Sequence, residues 1–587
     1  MNVKNIQDYN YLGANRFDKD RFVFRVYAPN AYAVYLFGTF NNWDYANCPL
    51  KKDSDGVWSV ITKATDFDQY KFVIETNQGI KYKADPYAKY SQTRGSTNSI
   101  VFESLYEFCD ARYINKRTCL DKKPVNIYEM HLGSWRRHNG IEYNYRELAP
   151  LICNYCKKMS FNYVEFLPLA EYPLDDSWGY QVTGFFSPTS RYGNPDDLKY
   201  LVDTLHANDI GVILDFVPAH FCKDEFGLIE FDGSCLYESQ DQTRREHKSW
   251  GTNIFDYAKP QVVDFLISCA IYWLREFHFD GLRVDAVASM LYLDYDRADG
   301  EWNKNIYGGN YNLEAIDFLR KLSNTISATC PNCILIAEES TAFNKVTGST
   351  CQGGLGFDFK WNMGWMNDTL SYFCAPFDKR YEVYNKLTFP LMYSQSEKYI
   401  LPFSHDEVVH GKCSLIGKLP GDYQQKFRGL KTLSALLFAQ VGKKLNFMGN
   451  ELAQFIEWNP TREVDWLLLD YASHKDYLDY FARLGNIYLS HPSLFELDYS
   501  PDGFIAIQAN DNNGVLAFLR KSSSQTMLCV FNFSQDTRSN YTLYTKYGLA
   551  KFTCIMSTDQ MSSFITDNEG KITLDLLPLS ANYYLLD

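Results

Sequence analysis

The sequence predicts an α/β protein, a (β/α)8 TIM barrel flanked by an N-terminal β-sandwich and a C-terminal all-β domain. Three observations carry that prediction. Strand patterns alternate with amphipathic helix patterns through the middle of the chain, and short strands without helices occupy both ends. Four apolar runs in the middle each finish on an acid: GVILDFVPAH (Asp215), GLRVDAV (Asp285), CILIAEES (Glu338) and YILPFSHDE (Asp406). Single carboxylates at the ends of successive buried strands are how a parallel barrel assembles one site on its active face.

Residues 1–105 alternate strand patterns with turns (RFVFRVYAPN, AVYLFGTFNNWD, GVWSVI, YKFVIE) and offer no helix, which reads as a β-sandwich. A charged linker, 106–124, leads into VNIYEMHL, the first strand of the barrel, 125–490. Strands are expected near 125, 162, 211, 281, 333, 400 and 443, with the sixth inside GGLGFDFKWN, and helices near 146, 195, 260, 312 and 422. About eight strand-helix units over this length fit a barrel with loop insertions better than an open sheet. The longest insertion, about 221–258, lacks clear periodicity and is expected to lie over the site. Residues 491–587 return to alternating strands (GVLAFLRK, TMLCVFNFS, FTCIMST, ITLDLLPL).

A chain of 587 residues holds about two or three domains. The net charge of −13, with no basic run, speaks against nucleic acid and anionic membranes as partners. MNVKNIQDYNYLGANRF lacks the apolar core of a secretory signal, and no stretch is long and apolar enough to cross a membrane. The expectation is a cytoplasmic monomer. Fifteen cysteines, an odd number in a large chain with no export signal, are expected as free thiols. The pairs Cys153/Cys156 and Cys330/Cys333 have a zinc-like spacing, but one lies in a helical pattern and the other just before a barrel strand, so no metal and no cofactor is expected. The aromatic excess, 44 Tyr and 41 Phe, suits stacking on sugars, yet AT-rich coding would produce it too; composition does not decide the function.

The acids suggest acetal chemistry. Cleaving a glycosidic bond takes an acid on the leaving-group side and an ionised carboxylate near the anomeric carbon. Arg283 stands two residues before Asp285, so on a strand both point the same way, and a guanidinium keeps its neighbour ionised; Asp285 is the candidate nucleophile. Glu338, if it faces other carboxylates, has its pKa raised by repulsion and serves as general acid. Asp406 with His405, and His220 after Asp215, supply groups that grip hydroxyls. For one acid alone a strand-end ion pair explains as much; four in barrel order favour a site.

DFVPAH, GLRVDAV, AEES and SHDE, in that order, resemble the four segments of the alpha-amylase superfamily. Within it the chain is similar, over nearly its whole length, to the 1,4-alpha-glucan branching enzymes, through IYEMHLGSWRR, SWGYQVTGFFSPTSRYG, LYLDYDR, NLEAI, KWNMGWMNDTL, SHDEVVHGK and FMGNELAQ. APNA and FNNWD resemble the carbohydrate-binding module that precedes such domains. The resemblance implies an alpha-glucan substrate, with Tyr180 stacked on the sugar at the cleaved bond and Asp215, His220, Arg283 and His405 around it. It also implies Asp285 as nucleophile, Glu338 as acid/base and Asp406 as transition-state stabiliser. Departures are Asn310-Tyr311 where relatives more often carry Arg-Glu, Asn450 in place of a second Gly, and Cys222 in place of Pro.

A hydrolase, amylase or debranching in type, would share all four motifs and differ only in the acceptor; a non-catalytic glucan scaffold would have no use for the paired Arg and Asp. Three weaker signals remain. Trp43 and Trp58 are either a glucan platform or sandwich core, Trp361, Trp365 and Met366 are expected to pack behind the sixth strand, and His131 either lines the site floor or is a satisfied core histidine.

Overall fold

The computed structural model describes residues 8–509, 514–559 and 562–587. Eight strands close into a barrel in chain order: β1 (Asn126–Met130), β2 (Tyr163–Phe166), β3 (Gly211–Phe216), β4 (Gly281–Val284), β5 (Ile334–Ala337), β6 (Phe359–Trp361), β7 (Tyr399–Phe403) and β8 (Lys443–Phe447). Helices including Tyr145–Met159, Pro195–Ala207, Pro260–Glu276, Leu313–Thr329 and Tyr423–Ala439 fill the intervals. β6, within GGLGFDFKWN as expected, has only three residues, too few to show a period.

The described residues group into two compact units. One comprises Met1–Arg117, Ile141–Cys153 and Phe166–Phe357. Its N-terminal part is a pair of antiparallel sheets, one built on Arg21–Tyr27 and Val57–Lys63, the other on Ala33–Gly38 and Gln69–Thr76. Phe22, Phe24 and Val26 are buried from the first, and Val34, Leu36, Phe72 and Ile74 from the second. The two sandwich tryptophans part company. Trp58 is buried and its indole donates to the Ala28 carbonyl at 2.9 Å, whereas Trp43 is 38% exposed and packs edge-on against Phe37 at 5.1 Å.

The sandwich also grips the insertion that follows β3. Lys83 Nζ donates to the carbonyls of Glu225, Gly227 and Ile229 at 2.5, 3.1 and 2.7 Å, and burial brings its pKa down to about 8. The insertion itself forms a small sheet of His220–Phe221, Thr252–Ile254 and Glu246–His247.

The other unit comprises Thr118–Gly140, Asn154–Glu165 and Asp358–Asp587. Its C-terminal part is a six-stranded and a two-stranded sheet around Val515, Ala517, Leu528, Val530, Phe552 and Leu576. Trp361, Trp365 and Met366 are fully buried, as expected for core, and the Trp365 indole donates to Gln440.

β8 begins with two lysines although the whole strand is buried. Lys444 is tethered to the Gln440 carbonyl at 2.5 Å, while Lys443 and Arg520 share Asp498, at 3.3 and 2.5 Å, with all three side chains out of solvent. Removing the anion would strand two buried cations. Asp498→Ala is therefore expected to cost about 3–5 kcal/mol, read as a lower denaturant midpoint at unchanged slope; an unshifted midpoint would show that the triad is stabilised by other contacts.

The cysteines other than Cys153 and Cys156, Cys330 and Cys333 among them, are free thiols. Among the described residues no cluster of three metal-ligand side chains occurs, and no helix is long and apolar enough to cross a membrane.

Candidate active site

β3, β4 and β5 lie side by side and deliver charge at their carboxyl ends. The register sets Asp215 opposite Arg283 and Val284 opposite Ala337, so Asp285 and Glu338 leave adjacent strands at the same level. Arg283 and Asp285 share a face, as residues two apart on a strand must. Arg283 is the hub. Its Nη1 reaches both oxygens of Asp215 at 2.6 and 2.7 Å and Oδ1 of Asp285 at 2.9 Å, while Nη2 lies 3.0 Å from Oε2 of Glu338. Burial works against the guanidinium charge, but Asp215, Glu338, Tyr180 and Asp285 outweigh it and hold its pKa well above the ordinary value.

Glu338 is fixed by the turn after the candidate nucleophile. Ala286 adopts a left-handed conformation, φ 52°, which for an alanine is strained, and its N–H donates to Glu338 Oε2 at 2.8 Å. The backbone is laced to match: Glu338 N–H donates to the Val284 carbonyl and Val287 N–H to the Glu338 carbonyl. A guanidinium and a backbone amide thus hold one oxygen of Glu338. Oε2 is committed as acceptor, and Oε1 is the other carboxyl oxygen of Glu338.

Tyr180 O–H donates to Asp215 Oδ2 at 2.5 Å, and His220 Nε2–H donates to the Tyr180 carbonyl at 3.0 Å. Tyr180, Asp215, His220, Arg283, Asp285 and Glu338 therefore form one connected group. Burial lowers the His220 pKa to about 4 and, with His220 and Arg297 nearby, that of His247 to about 3. The unfolded chain takes up protons on both histidines below their ordinary value of 6.5, while the folded one does not. Stability is accordingly full above pH 6.5 and is expected to fall between pH 6.5 and 4, by about 3 kcal/mol from His220 alone. Denaturant titration across that range, repeated on His220→Asn, checks it: the variant should lose part of the slope.

His405 and Asp406 follow β7, and the histidine is oriented from β1. Glu129, fully buried, accepts from His405 Nδ1 at 2.6 Å and from its backbone N–H at 3.1 Å, and His405 Nε2 lies 3.4 Å from Asp406 Oδ1. β1 and β7 both pair with β8. Glu129 was not singled out from the sequence; its only signal was an acid inside the apolar run IYEMHL. His131 is a packed histidine, bonded to Ser134 at 2.8 Å with its ring 5.5 Å from Trp458.

The departures find local reasons. The Cys222 thiol donates to the Val182 carbonyl at 3.5 Å, Asn310 donates to Asp294, Asn450 donates to the Phe403 carbonyl at 3.2 Å, and Tyr311 packs against Tyr292 and Phe343.

Three family descriptions match parts of the chain: carbohydrate-binding module 48 (isoamylase N-terminal domain) over residues 11–88, the alpha amylase catalytic domain over 152–254, and the alpha amylase C-terminal all-beta domain over 506–587. In fold the chain is similar to a putative alpha amylase from Salmonella typhimurium (TM-score 0.74, 18% identity, covering 98% of this chain and 99% of that one). It is similar also to the pullulanase of Bacillus acidopullulyticus (TM-score 0.75, 18% identity, covering 100% and 76%). In sequence it is 49% identical to a 1,4-alpha-glucan branching enzyme of Clostridium perfringens over 89% of this chain and 79% of that protein. For those of Oceanobacillus iheyensis and Halothermothrix orenii the identities are 46% and 48%, over 92% and 91% of this chain and 86% and 87% of theirs. With near-half identity across most of both chains, the chain belongs to the 1,4-alpha-glucan branching enzyme family.

Proposed function

We propose how the side chains of this glucanotransferase divide the work. The enzyme cleaves alpha-1,4 bonds of a linear glucan and transfers the released chain to a 6-hydroxyl, making alpha-1,6 branches with retention. Asp285 attacks the anomeric carbon as the bond to the departing 4-oxygen breaks, and the proton on Glu338 Oε1 passes to that oxygen. Glu338, now anionic, takes the proton of the incoming 6-hydroxyl, whose oxygen displaces Asp285. Asp406, with His405 oriented by Glu129, stabilises the positive charge that builds on the sugar ring; Tyr180, stacked under that ring, is held by Asp215 and His220.

The observation that carries this reading is the Arg283 hub, which bonds Asp285 and Glu338 into one group. Amylose should lose iodine colour while reducing ends rise far less than hydrolysis would require, and isoamylase should then release short chains. Reducing ends growing in step with colour loss, with no isoamylase-sensitive product, would make the protein an amylase-type hydrolase.

We further infer a division into a glucan-binding module (1–105), a linker (106–124), the catalytic barrel (125–490, insertion about 221–258) and a terminal β-domain (491–587). The change from strands to alternating elements and back supports it. Trp43, exposed and packed on Phe37, which in turn meets Tyr82, is the module's glucan-facing ring, whereas Trp58 belongs to its core. A cytoplasmic monomer with no nucleic-acid or membrane partner fits the charge of −13.

A further inference from the structure

We propose that Trp250 and Tyr295 form the platform that holds the accepting glucan, so that two aromatic rings outside the carboxylate set decide between transfer and hydrolysis. The inference rests on the double-displacement reading above. Trp250 comes from the insertion after β3 and Tyr295 from the loop after β4, and their rings meet with centroids 5.8 Å apart at 60°. The Trp250 ring lies 5.4 Å from His220, the residue that holds Tyr180, so the aromatic wall runs on from the group around Asp215. Both rings are half-buried, unlike the enclosed Trp361 and Trp365, and present surface to a ligand.

Their position places them on the acceptor side. Tyr295 sits within the electrostatic reach of Glu338 and Asp285, whose charges add to burial in raising its phenol pKa. Glu338 serves the departing 4-oxygen first and the arriving 6-hydroxyl second, so a half-buried ring that feels its charge and continues the wall from His220 through Trp250 is placed to border the leaving and accepting sugar. The wall is also built to stay put. Asp296 accepts from Ser249 N–H and Oγ–H at 2.8 and 2.7 Å, and Arg297 donates to the carbonyls of Thr243 and Glu246 at 2.7 and 2.9 Å, stitching the two loops together on both sides of the rings. Behind Trp250, at 4.4 Å, lies His247, buried, with neither ring nitrogen partnered among the described residues. It acts as a neutral wedge. A rigid apolar wall favours the C–H face of a sugar over water and adds little ordering cost on binding.

The test uses an alpha-maltooligosyl fluoride as donor and glycogen as acceptor, because breaking C–F requires no sugar on the leaving side. In Trp250→Ala and Tyr295→Ala, transfer to glycogen should fall about tenfold more than fluoride release, with free sugar from hydrolysis rising in its place. Trp250→Phe, which keeps a ring, should recover most of the transfer. If Trp250→Ala does not fold, Trp250→Leu and Tyr295→Ala report the same partition. Transfer and fluoride release falling in parallel, or an unchanged partition, overturns the platform. Wild-type protein that releases fluoride but transfers nothing to glycogen would instead overturn the branching reading.

Discussion

Asp285→Asn is expected to lower turnover by about four to six orders of magnitude while leaving folding and glucan affinity nearly intact. The substitution keeps the shape of the side chain, and the Asn carbonyl oxygen can still accept from Arg283, which contacts Oδ1 at 2.9 Å in the native site. What disappears is the negative oxygen that forms the bond to the anomeric carbon. Pre-steady-state trapping should therefore find no glycosyl-enzyme, while the melting temperature stays close to that of the native protein. Retention of about a tenth of the native rate would move the nucleophile to another residue.

Glu338→Gln is expected to fail in a different way, and the difference separates the two roles. On amylose the loss should be about a thousandfold or more, because no proton reaches the departing 4-oxygen. A fluoride donor needs no such proton and should still charge Asp285. The glycosyl-enzyme would then accumulate, since the 6-hydroxyl lacks its base. Azide, an anionic nucleophile, should release the sugar as a glycosyl azide, while branches remain absent. Restored branching in this variant would refute Glu338 as the acid/base. Gln can still accept from the Ala286 N–H and Arg283 through its carbonyl, so the turn that holds position 338 should survive.

The parts of this molecule that the sequence exposed are those whose physics is local. An apolar run ending on an acid names a barrel strand and its carboxyl end at once, and the convergence of Asp215, Asp285 and Glu338, with Arg283 on the same strand face as Asp285, was legible for that reason. The C-terminal strands were equally plain, because Val515–Lys521 and Thr526–Asn532 are seven-residue, mostly apolar runs buried at six positions each. Pairings between distant segments were not legible. Glu129 and His405 are 276 positions apart, and nothing near either residue announces the other. The same holds for Asp498, whose partners Lys443 and Arg520 lie 55 and 22 positions away. Lys443 and Lys444 open a fully buried strand, against any hydropathy rule, since Asp498 and backbone carbonyls satisfy them. Trp43 and Trp58 stand in similar strand-and-turn settings, and only the fold tells which one faces water.

The left-handed Ala286 has a further consequence. One peptide unit has its carbonyl on Asp285, the proposed nucleophile, and its N–H on an oxygen of Glu338, the proposed proton donor. Nucleophile and proton donor are thus a single machined part, with no flexible joint between them. On the proposed mechanism the two half-reactions of the cycle run through the same pair, first with Glu338 giving a proton and then with Glu338 taking one, and both require the same spacing to the anomeric carbon. A slack joint would let each half-reaction find its own best geometry at the expense of the other; a stiff one makes them share a compromise. The protein can therefore tune which sugar arrives by altering its loops without retiming its chemistry, and variation in the length of chain transferred can accumulate in the rim while the bond-making centre stays as it is.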